Sequence, residues 1–323
     1  MASSSSSSSR RFNGAFVHLF TNDSYLPGLL VLHQSHLDVK SRYPFVVMVT
    51  DAVSQQARDL MTQLQMVLRS VEPLHPLETC HLDQTDVRFN DTWTKLRAFE
   101  LYEYERVVLR DIDMLLQHNV DDLLESELPE DWIAASHVCA CNPRRFPHYP
   151  DDWVPENCAY SALSYPSCLT SATPIHPSSP RPYGLLNSGV VVLTPSPENA
   201  SNVSDFFHNS SSLISTFKFP DQDFLAELFR DRWQPLPWVH NALKSLRLIH
   251  PEIWRDDDAR CIHYIMAEKP WLVARPPSDD DDLENELSRW WWAAFDKLES
   301  EYQHEPWWSL VDANVIGTAG ARF

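Results

Sequence analysis

The chain has few basic residues for its length. Its 323 residues include 26 Lys and Arg against 45 Asp and Glu, a formal net charge of −19. Nucleic acids need a basic face that neutralises their phosphates, and anionic membranes attract basic segments. The charge therefore argues against both classes of partner, and we predict no binding to nucleic acid.

Long apolar runs are also absent. A membrane-spanning helix needs about 18 consecutive apolar residues, and no window of the sequence provides them. The N-terminal segment, MASSSSSSSRRFNG, lacks the apolar core of a secretory signal. We predict a cytoplasmic protein without membrane insertion.

Cysteine is sparse, with six residues, at positions 80, 139, 141, 158, 168 and 261. This number does not suggest a disulfide scaffold and agrees with a reducing compartment. Cys139, Cys141, Cys158 and Cys168 fall in one segment, where a C-x-C pair precedes two single cysteines. This set could bind zinc, but its spacing matches no standard finger, so free thiols are the expected state.

Apolar and amphipathic segments alternate along the first third of the chain. GAFVHLFTND (strand at about 15 to 20), YPFVVMVT and ERVVLRDID read as strands, and YLPGLLVLHQSHL, SQQARDLMTQLQMVLRS and TWTKLRAFELYEY read as helices. Strands that alternate with helices predict an α/β fold with a mostly parallel sheet and helices on both faces.

Composition divides the chain into three parts. Residues 1–14 form a Ser-rich tail that we predict to be disordered, and 15–275 form the α/β domain. Within the domain, 139–182 has many Pro, Ser, Cys and Tyr residues and no periodicity, which is typical of an insertion or lid. Residues 276–323 form an acidic linker and a C-terminal helix, with a Trp-rich tail that we expect to pack on the core.

Two aspartates follow the third strand, in VVLRDIDMLL. Asp111 and Asp113 have three interpretations: a solvated turn, a phosphatase nucleophile of the haloacid dehalogenase type, or a divalent-metal site for a nucleotide diphosphate. The carboxyl ends of parallel strands are where such sheets bind ligands. CIHYIMAEKPW offers a further ligand, His263, and a phosphate-binding cation, Lys269. Taken alone, His263 is better read as a packed polar residue and Lys269 as a surface lysine, and only their combination favours a site.

Five segments in the same order resemble one known family. FVHLFTNDSYLPGLLVL, WTKLRAFELYEYERVVLRDIDMLL, LLNSGVVVLTPS, DQDFLAEL and IHYIMAEKPW are similar to glycogenin-like glycosyltransferases, the retaining enzymes of family eight, which include galactinol synthases. The likeness covers residues 15 to 272 and implies a GT-A fold, a Rossmann-like α/β arrangement. The insertion CNPRRFPHYPDDWVPENCAY is most similar to fungal members.

The resemblance implies a role for each matching residue. The uridine would be held by four residues after the first strand: Leu19, Thr21, Asn22 and Tyr25. Mn²⁺ or Mg²⁺ would be bound by Asp111, Asp113 and His263, and Lys269 would hold the diphosphate. The sugar would be faced by Lys95, Asn187, Asp221 and Gln222, while Ser188 and Gly189 let the strand approach the ligand.

Some of these residues have structural alternatives. Asn22 is also a candidate helix cap, Asp221 and Gln222 are candidates for an N-cap, and Asn187 to Gly189 could form a strand bulge.

The implied reaction is transfer of glucose or galactose from a UDP-sugar to a hydroxyl acceptor, with retention of configuration. Two positions depart from the family pattern: Met266 replaces a glycine and Lys218 replaces an aspartate of glycogenin. No tyrosine occurs between Trp238 and His263, so self-glucosylation there is not expected. The acceptor would be a polyol or short glycan, and a homodimer is possible. The alternatives are the phosphatase and a non-catalytic scaffold of transferase fold.

Overall fold

The structure is a computed structural model that describes residues 12–76, 91–147, 149–277 and 283–316. Most of the predicted Ser-rich tail, residues 1–11, lies outside the described residues, as does part of the acidic linker, 278–282. The boundaries of the tail, the domain and the linker therefore remain predictions. Within the described ranges no helix is long and apolar enough to cross a membrane.

A seven-stranded sheet forms the centre of the protein. Its strand order is β3-β2-β1-β4-β7-β6-β8. β1, β2, β3 and β4 run parallel to one another, β7 is antiparallel to both β4 and β6, and β6 is parallel to β8. The strands are β1 Gly14–Phe20, β2 Phe45–Val49, β3 Val67–Ser70, β4 Arg106–Arg110, β6 Ile133–His137, β7 Leu186–Leu193 and β8 Trp233–Pro235.

A small second sheet stands beside the first. It has the order β5-β10-β9 and contains β5 Met114–Leu116, β9 Ala242–Leu243 and β10 Cys261–His263. β10 is antiparallel to β5 and parallel to β9. Since only three residues separate β4 from β5, the second sheet begins where a central strand of the first one ends.

Helices cover the large sheet on both faces, as the alternating sequence pattern predicts. They are α1 Leu26–Asp38, α2 Gln55–Gln63, α3 Asp122–Glu125, α4 Pro197–Asn209, α5 Ser211–Ile214, α6 Pro220–Leu228, α7 Leu246–Ile249, α8 Leu283–Tyr302 and α9 Trp308–Asp312. The segment Thr92–Glu100 is helical as predicted, but as a 3₁₀ helix. Two apolar cores result, one on each side of the sheet.

The insertion, 139–182, is packed against the domain. It contains short 3₁₀ turns at Pro155–Asn157, Ala159–Ala162 and Ser167–Leu169, and Cys158, Tyr160 and Cys168 are at most 1% exposed. It joins β6 to β7, so it leaves and re-enters the sheet on neighbouring strands. The aperiodic sequence is therefore held by core contacts.

The C-terminal indoles pack on the core, as expected from their size. Trp291, Trp292 and Trp308 are at most 3% exposed. Trp291 packs on Trp271, with ring centroids 5.4 Å apart. Helix α8 thereby rests against the segment that follows the last strand.

Candidate active site

The two aspartates lie on the short link between the sheets. β4 ends at Arg110 and β5 begins at Met114, so Asp111 and Asp113 stand where the chain passes from one sheet to the other. The amide of Asp111 donates to the carbonyl of Gly189 on β7 at 2.9 Å, which continues the ladder past the end of β4. The Asp113 side chain is 9% exposed and that of Asp111 is 23% exposed.

His263 reaches both carboxylates because β10 pairs with β5. In that ladder His263 lies opposite Met114, the residue after Asp113. Its Nε2 is 3.3 Å from Asp113 Oδ1 and 3.7 Å from Asp111 Oδ2. One potential ligand atom from each of the three residues lies within 4.8 Å of the others. The structure therefore assembles the predicted metal-binding set from two sheets.

Two lysines flank this set. Lys95 Nζ lies 2.6 Å from Asp111 Oδ1 and 2.9 Å from Asp221 Oδ2. Lys269 Nζ donates to Asp113 Oδ2, and it also donates to the carbonyl of Tyr264 at 2.9 Å. Both side chains are largely buried, with exposed fractions of 11% and 7%. Lys269 is therefore not the surface lysine that its sequence alone allowed.

The charges perturb each other's pKa values. Burial raises the pKa of Asp113, but Lys269 and His263 outweigh burial and hold it well below its usual range. Burial raises the pKa of Asp111, and the nearby Asp113 raises it further against the opposing effect of Lys95. For Lys95, burial lowers the pKa, but Asp111 and Asp221 reverse that effect, so the ammonium form is favoured. Asp113 is thus the more firmly ionised of the two aspartates.

An amide relay connects His263 to Asn187 and Gln222, two of the residues that are predicted to face the sugar. His263 Nδ1 lies 2.9 Å from Asn241 Oδ1, and Asn241 Nδ2 donates to Asn187 Oδ1 at 2.8 Å. Asn187 Nδ2 in turn donates to Gln222 Oε1 at 3.3 Å. Because Asn241 Oδ1 accepts a hydrogen bond from Nδ1 of His263, the Nε2 atom of His263 is left to face the aspartates. Sequence reasoning missed Asn241, whose place just before β9 marks it only once the second sheet is known.

The His263 ring leaves no room for a side chain at position 189, which is a glycine. A methyl group added to Gly189 would lie 2.3 Å from Cε1 and 2.6 Å from Nδ1 of that ring. The sequence suggested that this glycine lets the strand approach a ligand, and the structure shows that its nearest neighbour is the histidine. The ladder is also irregular here: Ala135 pairs with Val191, whereas the next residue, Ser136, pairs with Asn187. The register of the ladder therefore shifts at Asn187 to Gly189, as a bulge or a related irregularity would produce.

Asp221 and Gln222 lie in the first turn of α6 and are at most 9% exposed. The capping role falls to Asp223, whose Oδ2 accepts from the amides of Lys218 and Phe219 at 2.8 and 2.9 Å. Asp221 instead pairs with Lys95, and Gln222 ends the amide relay. The N-cap alternative for Asp221 and Gln222 is therefore wrong.

The residues predicted to hold uridine lie at the end of β1, one strand from β4. Asn22 caps a short 3₁₀ turn by accepting from the amide of Ser24 at 2.9 Å. Tyr25 packs edge-to-face on Trp271, at 5.7 Å between centroids. A methyl group added to Gly28 would lie 3.1 Å from the carbonyl of Ile112, so the first turn of α1 borders the aspartate link. The roles of Leu19, Thr21, Asn22 and Tyr25 stay predictions, as does that of Ser188, which is buried on β7.

The departure at Met266 has a conformational signature. Its φ is 78°, in the left-handed region that favours glycine. The backbone thus keeps the conformation expected of the family glycine while carrying a larger side chain. Lys218, the second departure, is exposed just before α6.

The donor set fits a divalent cation. Two carboxylates and an imidazole are ligands that suit Mn²⁺, and carboxylates suit Mg²⁺. Three carboxylates, Asp111, Asp113 and Asp221, face two lysines, so the cluster keeps a negative charge that a cation would balance.

Comparisons with known proteins agree with this geometry. The sequence profile of glycosyl transferase family 8 matches residues 17–274. Galactinol synthase 1 of Solanum lycopersicum is 28% identical over 94% of this chain and 86% of its own length. Galactinol synthase 2 of Arabidopsis thaliana is 27% identical over 83% and 76%.

Solved structures share the fold. The galactosyltransferase LgtC, solved in complex with donor and acceptor sugar analogs, superposes with a TM-score of 0.57 at 14% identity, covering 88% of this chain and 95% of that chain. The glycosyltransferase GlyE of Streptococcus pneumoniae superposes with a TM-score of 0.56 at 14% identity, covering 93% of this chain and 63% of that chain. These similarities confirm the predicted GT-A, Rossmann-like fold. The chain is a glycosyltransferase and belongs to glycosyl transferase family 8.

Proposed function

We propose that the protein transfers a hexose, with retention of configuration, from a UDP-sugar to a hydroxyl of a small acceptor, in a reaction that depends on Mn²⁺ or Mg²⁺. One observation carries the proposal: Asp111, Asp113 and His263 converge at the carboxyl end of β4, with Lys269 and Lys95 beside them. This arrangement has the oxygen and nitrogen ligands for a divalent ion and the cations for a diphosphate.

In this proposal some residues act on the leaving group and others contact the sugar. When bound, the metal ion would neutralise charge on the departing diphosphate. Lys269 would hold the diphosphate and stabilise the UDP that leaves. Lys95 positions Asp111 and Asp221 through its two ion pairs, while Asn187, Asp221 and Gln222 face the anomeric centre. Leu19, Thr21, Asn22 and Tyr25 would hold the uridine, and Ser188 would border the sugar from β7.

The relatives favour galactose as the donor sugar and an inositol-like polyol as the acceptor. The curated relatives quoted above are galactinol synthases, and galactinol is a galactoside of inositol. Glucose is the second sugar to compare, since it differs from galactose at one hydroxyl. The family match favours this transfer over the phosphatase and scaffold alternatives. We place the reaction in the cytoplasm.

The direct experiment offers UDP-galactose and UDP-glucose to the full-length protein, with Mn²⁺ and with EDTA, and with inositol or short glycans as acceptors. We expect UDP release that requires both metal and acceptor, and an α-linked product by NMR, because retention preserves the donor's configuration. The intact mass of the protein should stay unchanged, since no tyrosine occurs between Trp238 and His263.

A matched pair of variants ties the activity to the site. Asp111→Asn should abolish UDP release, whereas Asp51→Asn, at a side chain that is 99% exposed, should not change it. Release that persists in EDTA or in Asp111→Asn would contradict metal-dependent chemistry at this site. A β-linked product would contradict retention.

A further inference from the structure

Three cysteines and one histidine form a second cluster, separate from the aspartates. Cys139 and Cys141 follow β6, Cys158 lies in the insertion, and His250 ends α7. Nε2 of His250 lies 3.8 Å from the sulfur of Cys139, 3.2 Å from that of Cys141 and 3.6 Å from that of Cys158. One potential ligand atom from each of the four residues lies within 4.8 Å of the others.

We propose that Cys139, Cys141, Cys158 and His250 bind one structural zinc ion. Three thiolates and one imidazole are a standard zinc ligand set, with Zn–S of about 2.3 Å and Zn–N of about 2.0–2.1 Å in a tetrahedron. Those bond lengths place ligand sulfur and nitrogen atoms about 3.5 Å apart, and the three observed separations bracket that value. A multi-iron cluster would spread its ligands across its own width, so the tight spacing favours a single ion.

The surroundings agree with a closed structural site. Cys141, Cys158 and His250 are at most 6% exposed, and Cys139 is half-buried. All four positions are filled by protein atoms, as in structural zinc sites, whereas catalytic zinc keeps one position open. The Nδ1 atom of His250 lies 3.0 Å from Glu252 Oε1. A carboxylate behind a ligating imidazole fixes the ring and its tautomer.

Cys168 does not take part, although the sequence groups it with the other three. Its sulfur is directed at the carbonyl of Ile253, 3.9 Å away. His250 replaces it, from a position 92 residues after Cys158. The five cysteines in the described ranges are all unbridged, so the three clustered thiols are available as ligands.

The site would fasten the insertion to the part of the domain that carries the sugar-facing residues. Within the insertion, Trp153 stacks on Phe219 at 5.9 Å and Tyr149 packs edge-to-face on it at 5.6 Å. Phe219 immediately precedes α6, which carries Asp221 and Gln222. Zinc would thus hold one end of the segment that braces this helix.

The test begins with the zinc content of the full-length protein, purified with a reductant and without chelators, then dialysed. We expect one zinc per chain by elemental analysis. Cys158→Ser should lose it, whereas Cys168→Ser, which removes a buried thiol of the same insertion, should keep it. Asp113→Asn should also keep it, because that variant disables only the carboxylate site.

A second measurement covers the case in which Cys158→Ser fails to fold. Wild-type protein produced with cobalt should show the visible absorption of a tetrahedral ion with thiolate charge-transfer bands. The proposal would be overturned by folded wild-type protein that contains no zinc and whose three thiols react freely or form a disulfide. It would also be overturned by an octahedral cobalt spectrum, or by zinc that is lost with Asp113→Asn and kept in Cys158→Ser.

Discussion

The carboxylate cluster and the thiolate cluster each contain one imidazole, yet they are built for different tasks. Asp111 and Asp113 offer hard oxygen ligands beside the imidazole nitrogen of His263, and the Asp111 side chain is 23% exposed. The thiolate cluster, Cys139, Cys141, Cys158 and His250, offers three soft sulfur ligands and one imidazole, and in our proposal these four would complete a tetrahedron. Ligand softness and an open position separate an exchangeable ion that meets a substrate from an ion that holds the fold.

The neighbours of the two imidazoles differ in the same way. His263 is held by a neutral amide, Asn241, which continues to Asn187 and Gln222. His250 is held by a carboxylate, Glu252, whose side chain is 55% exposed. The first histidine is thus connected to other site residues, whereas the second is connected to the surface. Removing the acceptor at Asn241 should therefore change the Mn²⁺ requirement of the reaction, whereas removing the acceptor at Glu252 should affect only zinc retention.

Among changes outside the metal-binding residues themselves, the largest effect is expected from Lys269→Ala. The change removes the cation that pairs with Asp113 and, in our proposal, stabilises departing UDP. The transfer rate should fall about 100- to 1,000-fold, the usual loss for one electrostatic group at a reacting centre, while zinc content stays at one per chain. Lys297→Ala, at an exposed position of α8, is the control. An unchanged rate in Lys269→Ala would remove this residue from the donor site.

Asn241→Leu should weaken the carboxylate site without affecting the thiolate site. His263 would lose the acceptor at Nδ1, and such losses typically lower metal affinity on the order of 10- to 100-fold. A Mn²⁺ titration of activity measures the shift. Glu252→Gln keeps an acceptor beside His250, so zinc should be retained in that variant. Equal Mn²⁺ requirements in wild type and Asn241→Leu would show that the relay does not position His263.

Gly189→Ala tests the fit between β7 and the His263 ring. The added methyl group would overlap the ring, so we expect a loss of about 1–3 kcal/mol in the free energy of unfolding and a higher Mn²⁺ requirement. Gly184→Ala is the matched control, because no atom lies within 4 Å of the added methyl group there. Thermal or denaturant unfolding and a Mn²⁺ titration measure both effects, and identical behaviour of the two variants would contradict the close approach.

Two buried imidazoles of α1 should have the smallest effect on transfer activity, because they act on stability. Burial lowers the pKa of His33 to about 4, and burial together with Arg110 lowers the pKa of His36 to about 3. Below the unfolded value of 6.5 the unfolded chain binds more protons, so stability is full above pH 6.5 and falls as the pH drops towards 4. Each histidine should contribute about 1.4 kcal/mol per pH unit to the slope.

His33→Leu isolates one of these contributions. Denaturant unfolding between pH 6.5 and 5 should show a shallower loss of stability in His33→Leu than in wild type. Identical slopes would show that His33 is protonated in the folded protein as readily as in the unfolded chain.

Local sequence patterns predicted three of the four parallel strands, but the segment of β3, Val67–Ser70, was predicted as part of a helix and is a strand. The predicted strands at residues 15–20 and 106–110 match β1 and β4, because buried runs of Val, Leu and Phe bounded by polar turns have few alternatives. The short strands β8 and β9 were not predicted. They have two or three residues each, and only pairing with distant strands defines them.

The residues of the two clusters could likewise be predicted only where the local sequence marks them. Asp111 and Asp113 were found from their position after a strand, and His263 and Lys269 from the family resemblance. Asn241 and His250 were missed because nothing in their local sequence marks them. Both acquire a partner only through tertiary contacts, Asn241 with His263 and His250 with Cys158.

The most direct test of the central claim is calorimetric titration of UDP into the wild-type protein and Asp113→Asn, each with Mn²⁺ and with EDTA. We predict that wild type binds UDP tightly only with Mn²⁺, and that Asp113→Asn loses this dependence while keeping its zinc and its fold. Equal UDP binding in wild type with EDTA, or in Asp113→Asn with Mn²⁺, would contradict a metal-bridged diphosphate at the carboxyl end of β4.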